Sequence, residues 1–130
     1  GGGYNHRFGL HDGVLIKDNH IVAANGVADA VRRAKAKVGH MVKVEVEVDR
    51  IDQIGPALDG GADVILLDNM DGPTMTKAVK MIGGQAIVEA SGSITLENVA
   101  AVAETGVDVI SIGWITHSAP SLDLGLDFRE

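Results

Sequence analysis

Cysteine is absent from these 130 residues, so they contain no disulfide, thiolate nucleophile or Cys-based zinc site. Aromatic residues make up only 3%, and with 45% hydrophobic content the core must be built from aliphatic side chains. Positive charge is scarce: 11 Lys and Arg stand against 18 Asp and Glu, for a formal net charge of -7. No long Lys/Arg block offsets it. Nucleic acid and anionic membrane surfaces are therefore disfavoured as main partners, because both need a basic face. No apolar run is long enough to span a bilayer. Gly1-Gly2-Gly3 stands where an initiator methionine would, which leads us to expect a fragment of a longer protein. The lack of a leader peptide then carries little weight. The length allows one domain at most.

Against that acidic background, the stretch from Asn5 to His20 gathers four potential cations, His6, Arg7, Lys17 and His20, around a short apolar run, Val14 to Ile16. A local cationic cluster suits a phosphorylated or carboxylated small molecule, which needs a pocket and not a basic face.

The remaining chain alternates strand and helix signals. Asn25 to Val38 reads as an amphipathic helix, with Asn25 as its N-cap and Val27, Val31, Ala34 and Val38 as its apolar stripe. Val42 to Val48 alternates strictly, so Lys43, Glu45 and Glu47 share one face, expected to line a barrel or cleft. Glu45 lies deeper than Glu47 and is expected to pair with Lys43. A short helix from Ile51 to Leu58 follows, then a continuous apolar strand, Val64 to Leu67, ending in Asp68-Asn69. Asp71 caps the next helix, with Pro73 in its first turn. A strand from Ala86 to Ala90 runs into Ser91-Gly92-Ser93, a helix spans Thr95 to Glu104, and a last strand, Val109 to Ile112, runs into Gly113. The tail from Ala119 reads as a short docking segment.

Strand starts at Val42, Val64, Ala86 and Val109 stand 22, 22 and 23 residues apart. Repeated strand-helix units of that length build parallel sheets. With the strand at Val14, the expected α/β fold is an incomplete (β/α) barrel of about five parallel strands, or an open doubly wound sheet. A whole barrel takes roughly 250 residues, so exposed sheet edges are expected.

Ligands in such folds bind at the C-terminal ends of the strands. Those ends read Lys17-Asp18-Asn19, Glu47, Asp68-Asn69, Ser91-Gly92-Ser93 and Gly113, all polar or glycine. Glu47 and Asp68 suit Mg²⁺, sugar hydroxyls or a developing cation; the structural alternative is a pair of salt-bridged barrel acids. Lys17 has an internal ion pair as its alternative, with Asp18, Glu47 or Asp68. Small residues in the two late loops suit a phosphate held by backbone N–H groups at helix N-termini, through Ser91, Gly92, Ser93 and Gly113 with His117 reaching in. Arg7 is a good anion ligand because its planar fork grips carboxylate or phosphate bidentately.

Gly-Gly-Gly-Tyr-Asn-His-Arg-Phe-Gly-Leu, Leu-Ile-Lys-Asp-Asn-His, Val-Glu-Val-Glu-Val, Leu-Leu-Asp-Asn-Met, Glu-Ala-Ser-Gly-Ser-Ile-Thr and Thr-His-Ser-Ala-Pro follow one another through nearly the whole chain. Together and in this order they resemble the quinolinate phosphoribosyltransferases, the carboxylating nicotinate-nucleotide pyrophosphorylases of NAD synthesis. The resemblance implies transfer from phosphoribosyl pyrophosphate to quinolinate with Mg²⁺, giving nicotinate mononucleotide, pyrophosphate and CO₂. It implies that His6, Arg7 and Lys17 line the quinolinate side, with Lys17 also near the phosphoribosyl group. Glu47 and Asp68 would face the ribose hydroxyls and metal; Ser91, Gly92, Gly113 and His117 would hold the 5′-phosphate end. It further implies a cytoplasmic homodimer or higher homo-oligomer. On this reading residues 1–130 are the C-terminal barrel portion, without the family's N-terminal domain and first barrel strand, and inactive alone. Ser93 departs from the family pattern, which has Gly there in many members. Two other readings stay open: a phosphoribosyltransferase relative of the molybdate-transport-associated type, and a non-catalytic anion-binding or assembly fragment.

Overall fold

Alternation in Val44–Val48 sets the architecture. Its valines turn to one side of the sheet and are fully buried, while Glu45 and Glu47 turn to the other. The computed structural model describes residues 1–128. In chain order these form β1 (Val14–Ile16), α1 (Asp18–Ala23), α2 (Val27–Lys35), β2 (Val44–Val48), a 3-10 turn (Ile51–Gln53), α3 (Ile54–Gly60), β3 (Val64–Asp68), α4 (Gly72–Ile82), β4 (Ile87–Ser91), α5 (Val99–Ala103), β5 (Val109–Ile110) and α6 (Trp114–His117). The strands make one parallel sheet in the order β1-β2-β3-β4-β5. A doubly wound sheet would reverse direction partway, so this sequential order belongs to the barrel alternative. As expected, β1 and β5 are left as edges.

Val44, Val46, Val48, Ile65, Leu67, Val88 and Ala90 form the helix-covered face, packed with Val27, Ala30 and Val31 of α2, Ile54 and Ala57 of α3, and Met75, Ala78 and Ile82 of α4. Each fully buried Val, Leu or Ile side chain stabilises the fold by about 1.5–3 kcal/mol. Close approach of α2 and α3 depends on Gly60, where a Cβ would lie 2.8 Å from the Val31 Cβ and 3.0 Å from the Ala28 carbonyl.

Two aspartates fix the sheet at the end opposite the candidate site. Asp63 accepts from the Val44 N–H at 2.8 Å and from Lys35 Nζ at 2.8 Å, and its own N–H donates to the Val44 carbonyl at 2.9 Å. Asp108 repeats the device on β4, with Val88 N–H to its carboxylate at 2.8 Å and its own N–H to the Val88 carbonyl at 2.9 Å. Each stands just before a strand, in Gly-Ala-Asp-Val and Gly-Val-Asp-Val. Burial works against the charge on Asp63, but Lys35 and the Val44 N–H together hold its carboxyl below the usual value.

Several local expectations need correction. Asn25 is not an N-cap: it takes a left-handed conformation (φ 62°) linking α1 to α2, and Gly26 caps α2. α1 lacked a sequence signal because it is six residues long and buries none of them. The helix expected from Thr95 starts only at Val99, because the Asn98 side chain takes the Thr95 N–H at 2.8 Å and holds an irregular turn ahead of it. Asp71 does cap α4, accepting from the Thr74 N–H at 2.9 Å with Pro73 in the first turn. The tail does not dock: its described residues, 119–128, are exposed and irregular, and its last two lie outside the described residues.

Candidate active site

The uncovered face of the sheet carries the ionisable groups in rows. Register places Leu15, Glu45, Val64 and Ile87 side by side, then Glu47, Leu66, Glu89 and Val109, and then Asp68 and Ser91 at the C-terminal ends. Over these rows lies a cavity of about 1050 Å³, whose wall includes His6, Arg7, Lys17, Glu45, Glu47 and Glu89. Ser91 and Gly113 also reach it, whereas Asp68, Gly92, Ser93 and His117 lie off its wall.

At the mouth, Lys17 Nζ stands 3.6 Å from a Glu47 carboxylate oxygen, its side chain 54% exposed. Of the ion-pair partners open to Lys17 in the sequence, Glu47 is the one it takes. Pairing across β1 and β2 follows from the register, since Lys17 continues the row of Glu47 one step past Ile16 and Val46. Arg7 donates from Nη1 to the Gly13 carbonyl at 3.3 Å. His20 turns away from the cationic cluster, its Nδ1 accepting from the Lys17 N–H at 2.9 Å at the start of α1.

Deeper in, the expected Glu45–Lys43 pair does not form. Glu45 instead meets His6 Nε2 at 3.2 Å, and the same nitrogen lies 3.3 Å from Glu89. Lys43 is exposed at the strand's start, where water solvates its ammonium better than a buried partner would. Glu45 and Glu89 are 8% and 5% exposed, and Glu45 Oε1 is buried without a hydrogen-bond partner. Burial first, then the neighbouring Glu89, pushes the Glu45 carboxyl up to about 8. Glu89 was missed in the sequence reading. A signal existed, because an acid inside an otherwise aliphatic strand, in phase with Ser91, must point to the same side as Ser91.

The two late loops differ in build. Gly92 (φ 88°) and Ser93 (φ 51°) both take left-handed backbone, which for Ser93 explains why glycine is the easier residue there. A Cβ at Gly92 would collide with the Asn69 carboxamide. Asn69 Oδ1 accepts from Ser93 Oγ at 3.1 Å, tying the loop after β3 to the loop after β4, and Asn69 Nδ2 donates to Asp68 at 3.1 Å. This loop is separated from α5 by residues 94–98, so it does not form that helix's N-terminus. Gly113 does cap a helix, the single turn α6, with His117 packed back over it, where a Cβ on Gly113 would lie 3.0 Å from Nε2.

A sequentially ordered parallel sheet with basic and acidic side chains gathered toward the C-terminal ends of its strands places the domain in the (β/α)-barrel class. Within that class the chain belongs to the quinolinate phosphoribosyl transferase family, residues 1–127 matching the model of its C-terminal domain. A probable carboxylating nicotinate-nucleotide pyrophosphorylase of Bacillus subtilis (strain 168) is 48% identical over 127 residues, covering 98% of this chain and 44% of that relative. The human carboxylating nicotinate-nucleotide pyrophosphorylase is 41% identical over 129 residues, covering 97% and 43%. Among solved structures, the nicotinate-nucleotide pyrophosphorylase of Francisella tularensis superposes with a TM-score of 0.84 at 45% identity, over 88% of this chain and 41% of that one. NadC from Streptococcus pyogenes gives 0.83 at 40% identity, over 94% and 43%. The chain thus spans less than half the length of these relatives.

Proposed function

We propose that this chain supplies the C-terminal barrel portion of an enzyme that transfers the phosphoribosyl group of phosphoribosyl pyrophosphate to quinolinate. The observation that carries the reading is the convergence of Arg7, Lys17 and Glu47 on one open cavity, in a family whose named relatives are carboxylating pyrophosphorylases. The pyridine nitrogen attacks C1 of the ribose while the C1–O bond to pyrophosphate breaks and the pyrophosphate leaves. The C–C bond to the carboxylate beside the now cationic nitrogen then breaks. CO₂ departs, and the electron pair left on the ring carbon takes a proton, giving nicotinate mononucleotide.

His6, Arg7 and Lys17 are assigned to the dicarboxylate. Lys17 and Arg7 suit it best, because His6 already faces two acids. Glu47, on the cavity wall, and Asp68, at the adjacent strand end, are assigned to the ribose hydroxyls, with Glu47 stabilising positive charge building at C1. Ser91, Gly92, Ser93, Gly113 and His117 are assigned to the 5′-phosphate. Mg²⁺ takes one or two carboxylates and completes its shell with water and substrate phosphates. Glu47 and Asp68, oxygen donors at the ends of adjacent strands, fit that demand, and the ion would neutralise the leaving pyrophosphate. The open edges at β1 and β5 support a site completed by other parts of a homodimer or higher homo-oligomer.

Calorimetric titration of the 130-residue chain with quinolinate at low salt tests the assignment. Saturable binding that Lys17→Ala removes is the expected result; no heat with quinolinate or phosphoribosyl pyrophosphate would leave an assembly fragment as the better description.

A further inference from the structure

Asn69 stands between the acid assigned to the ribose hydroxyls and the loop assigned to the 5′-phosphate. It follows Asp68 at the end of β3, and its N–H donates to the Ser91 carbonyl at 3.0 Å, so the β3–β4 pairing holds its backbone in place. Its carboxamide then reaches both ways. Nδ2 donates to Asp68 Oδ1 at 3.1 Å, and Oδ1 accepts from Ser93 Oγ at 3.1 Å. We propose that Asn69 is a positioning residue for the phosphoribosyl group: its carboxamide sets how far Asp68 stands from the Gly92-Ser93 loop. The inference rests on the phosphoribosyl reading and gives Asn69 no contact with substrate.

The backbone supports this. In an extended strand residue 69 would follow Ile65 and Leu67 to the helix-covered face. Asn69 instead takes a left-handed conformation (φ 51°) and stays exposed at the strand ends, where a Cβ on Gly92 would collide with its carboxamide. Ser93, its hydrogen-bond partner, is left-handed as well (φ 51°). Such backbone is unfavourable for residues other than glycine, and it persists where the surrounding structure holds a site in shape. Asn tolerates it better than most.

The chemistry of the side chain is specific. A carboxylate only accepts, so Nδ2 must face Asp68, and Oδ1 is left for the Ser93 hydroxyl. Asn is therefore suited to join an acid to a hydroxyl at this spot, which neither Asp nor Leu of similar size could do. Ribose 5-phosphate carries its hydroxyls and its phosphate on different edges of one small ring. A pocket that grips both edges gains only if the spacing between its two grips is held.

The test is calorimetric titration of the full-length enzyme with inorganic phosphate, ribose 5-phosphate and quinolinate in turn. Asn69→Gly is the informative variant, because glycine takes left-handed backbone without strain and only the carboxamide is lost. We expect it to weaken ribose 5-phosphate at least ~10-fold, the size of a lost hydrogen bond to a charged group. Phosphate alone needs no fixed spacing and should weaken less than about threefold, with quinolinate within about twofold. In turnover assays KM for phosphoribosyl pyrophosphate should rise by a similar factor while KM for quinolinate holds. Should Asn69→Gly not fold, Asn69→Ala is read by the same ratio of losses, which global stability does not move. Equal losses for phosphate and ribose 5-phosphate, unchanged ribose 5-phosphate binding, or a parent enzyme that does not bind ribose 5-phosphate would each overturn the inference. A parent that binds ribose 5-phosphate but not quinolinate, with the expected ratio in Asn69→Gly, would sink the acceptor and uphold the role of Asn69.

Discussion

Glu45 should make the fold weaken as pH rises across neutrality. Its carboxyl titrates at about 8 in the folded chain against an ordinary value of 4.5. Between those values the folded state holds a proton that the unfolded state has released, so stability falls as pH rises. The favourable contribution is complete below 4.5 and is gone above about 8. Its ceiling is ~5 kcal/mol, and water entering the cavity with relaxation of the acid pair brings the working figure to roughly 1–3 kcal/mol. For a domain of this size that is a drop in Tm of roughly 5–10 °C. The acids held below their ordinary values, Asp12, Asp29, Asp63, Asp71 and Glu97, act in the opposite sense and at lower pH. Thermal melts followed by circular dichroism from pH 5 to 9, with EDTA present to keep metals out, measure the effect. Glu45→Gln, neutral at every pH, should flatten the dependence and melt higher than the parent at pH 8.5. A parent chain whose Tm is constant or rises over this range, or a Glu45→Gln chain with an unchanged slope, would refute the argument.

Lys17→Ala in the full-length enzyme should cut turnover at least ~100-fold, measured as nicotinate mononucleotide formed, because one well-placed charge is lost at the mouth. Asp63→Ala should destabilise by about 1–3 kcal/mol in urea unfolding, since the Val44 N–H is left without its acceptor. Asp108→Ala should cost slightly less, having no counterpart of Lys35 to strand. Gly60→Ala should cost about 1–3 kcal/mol by forcing α2 and α3 apart, read as a lower urea midpoint with an unchanged m-value.

Much of the architecture was legible because period and spacing report on the backbone alone. The 22-residue interval located β2, β3 and β4, and alternation in Val44–Val48 placed Glu45 and Glu47 on the uncovered face. Sequential strand order was not legible, since the same interval serves doubly wound sheets. Convergence of Lys17 and Glu47 could be anticipated from their places at neighbouring strand ends. The partner of Glu45 could not, because His6 arrives from an irregular loop and Glu89 from two strands away, and neither approach leaves a trace in local pattern. Lys43 seemed the natural partner only because it shares a face with Glu45. Helix boundaries failed where side chains compete for backbone donors, as Asn98 does ahead of α5.

Sequential pairing also bears on how the chain reaches its native state. Each strand bonds to the next one along the chain, so no pairing has to wait for a distant segment to arrive. Every loop closed in building the sheet is about one strand-helix unit long, and the entropy of closure stays small and nearly equal at each step. Such a topology keeps contact order low for a parallel sheet, so assembly can begin at any adjacent pair and spread outward in both directions.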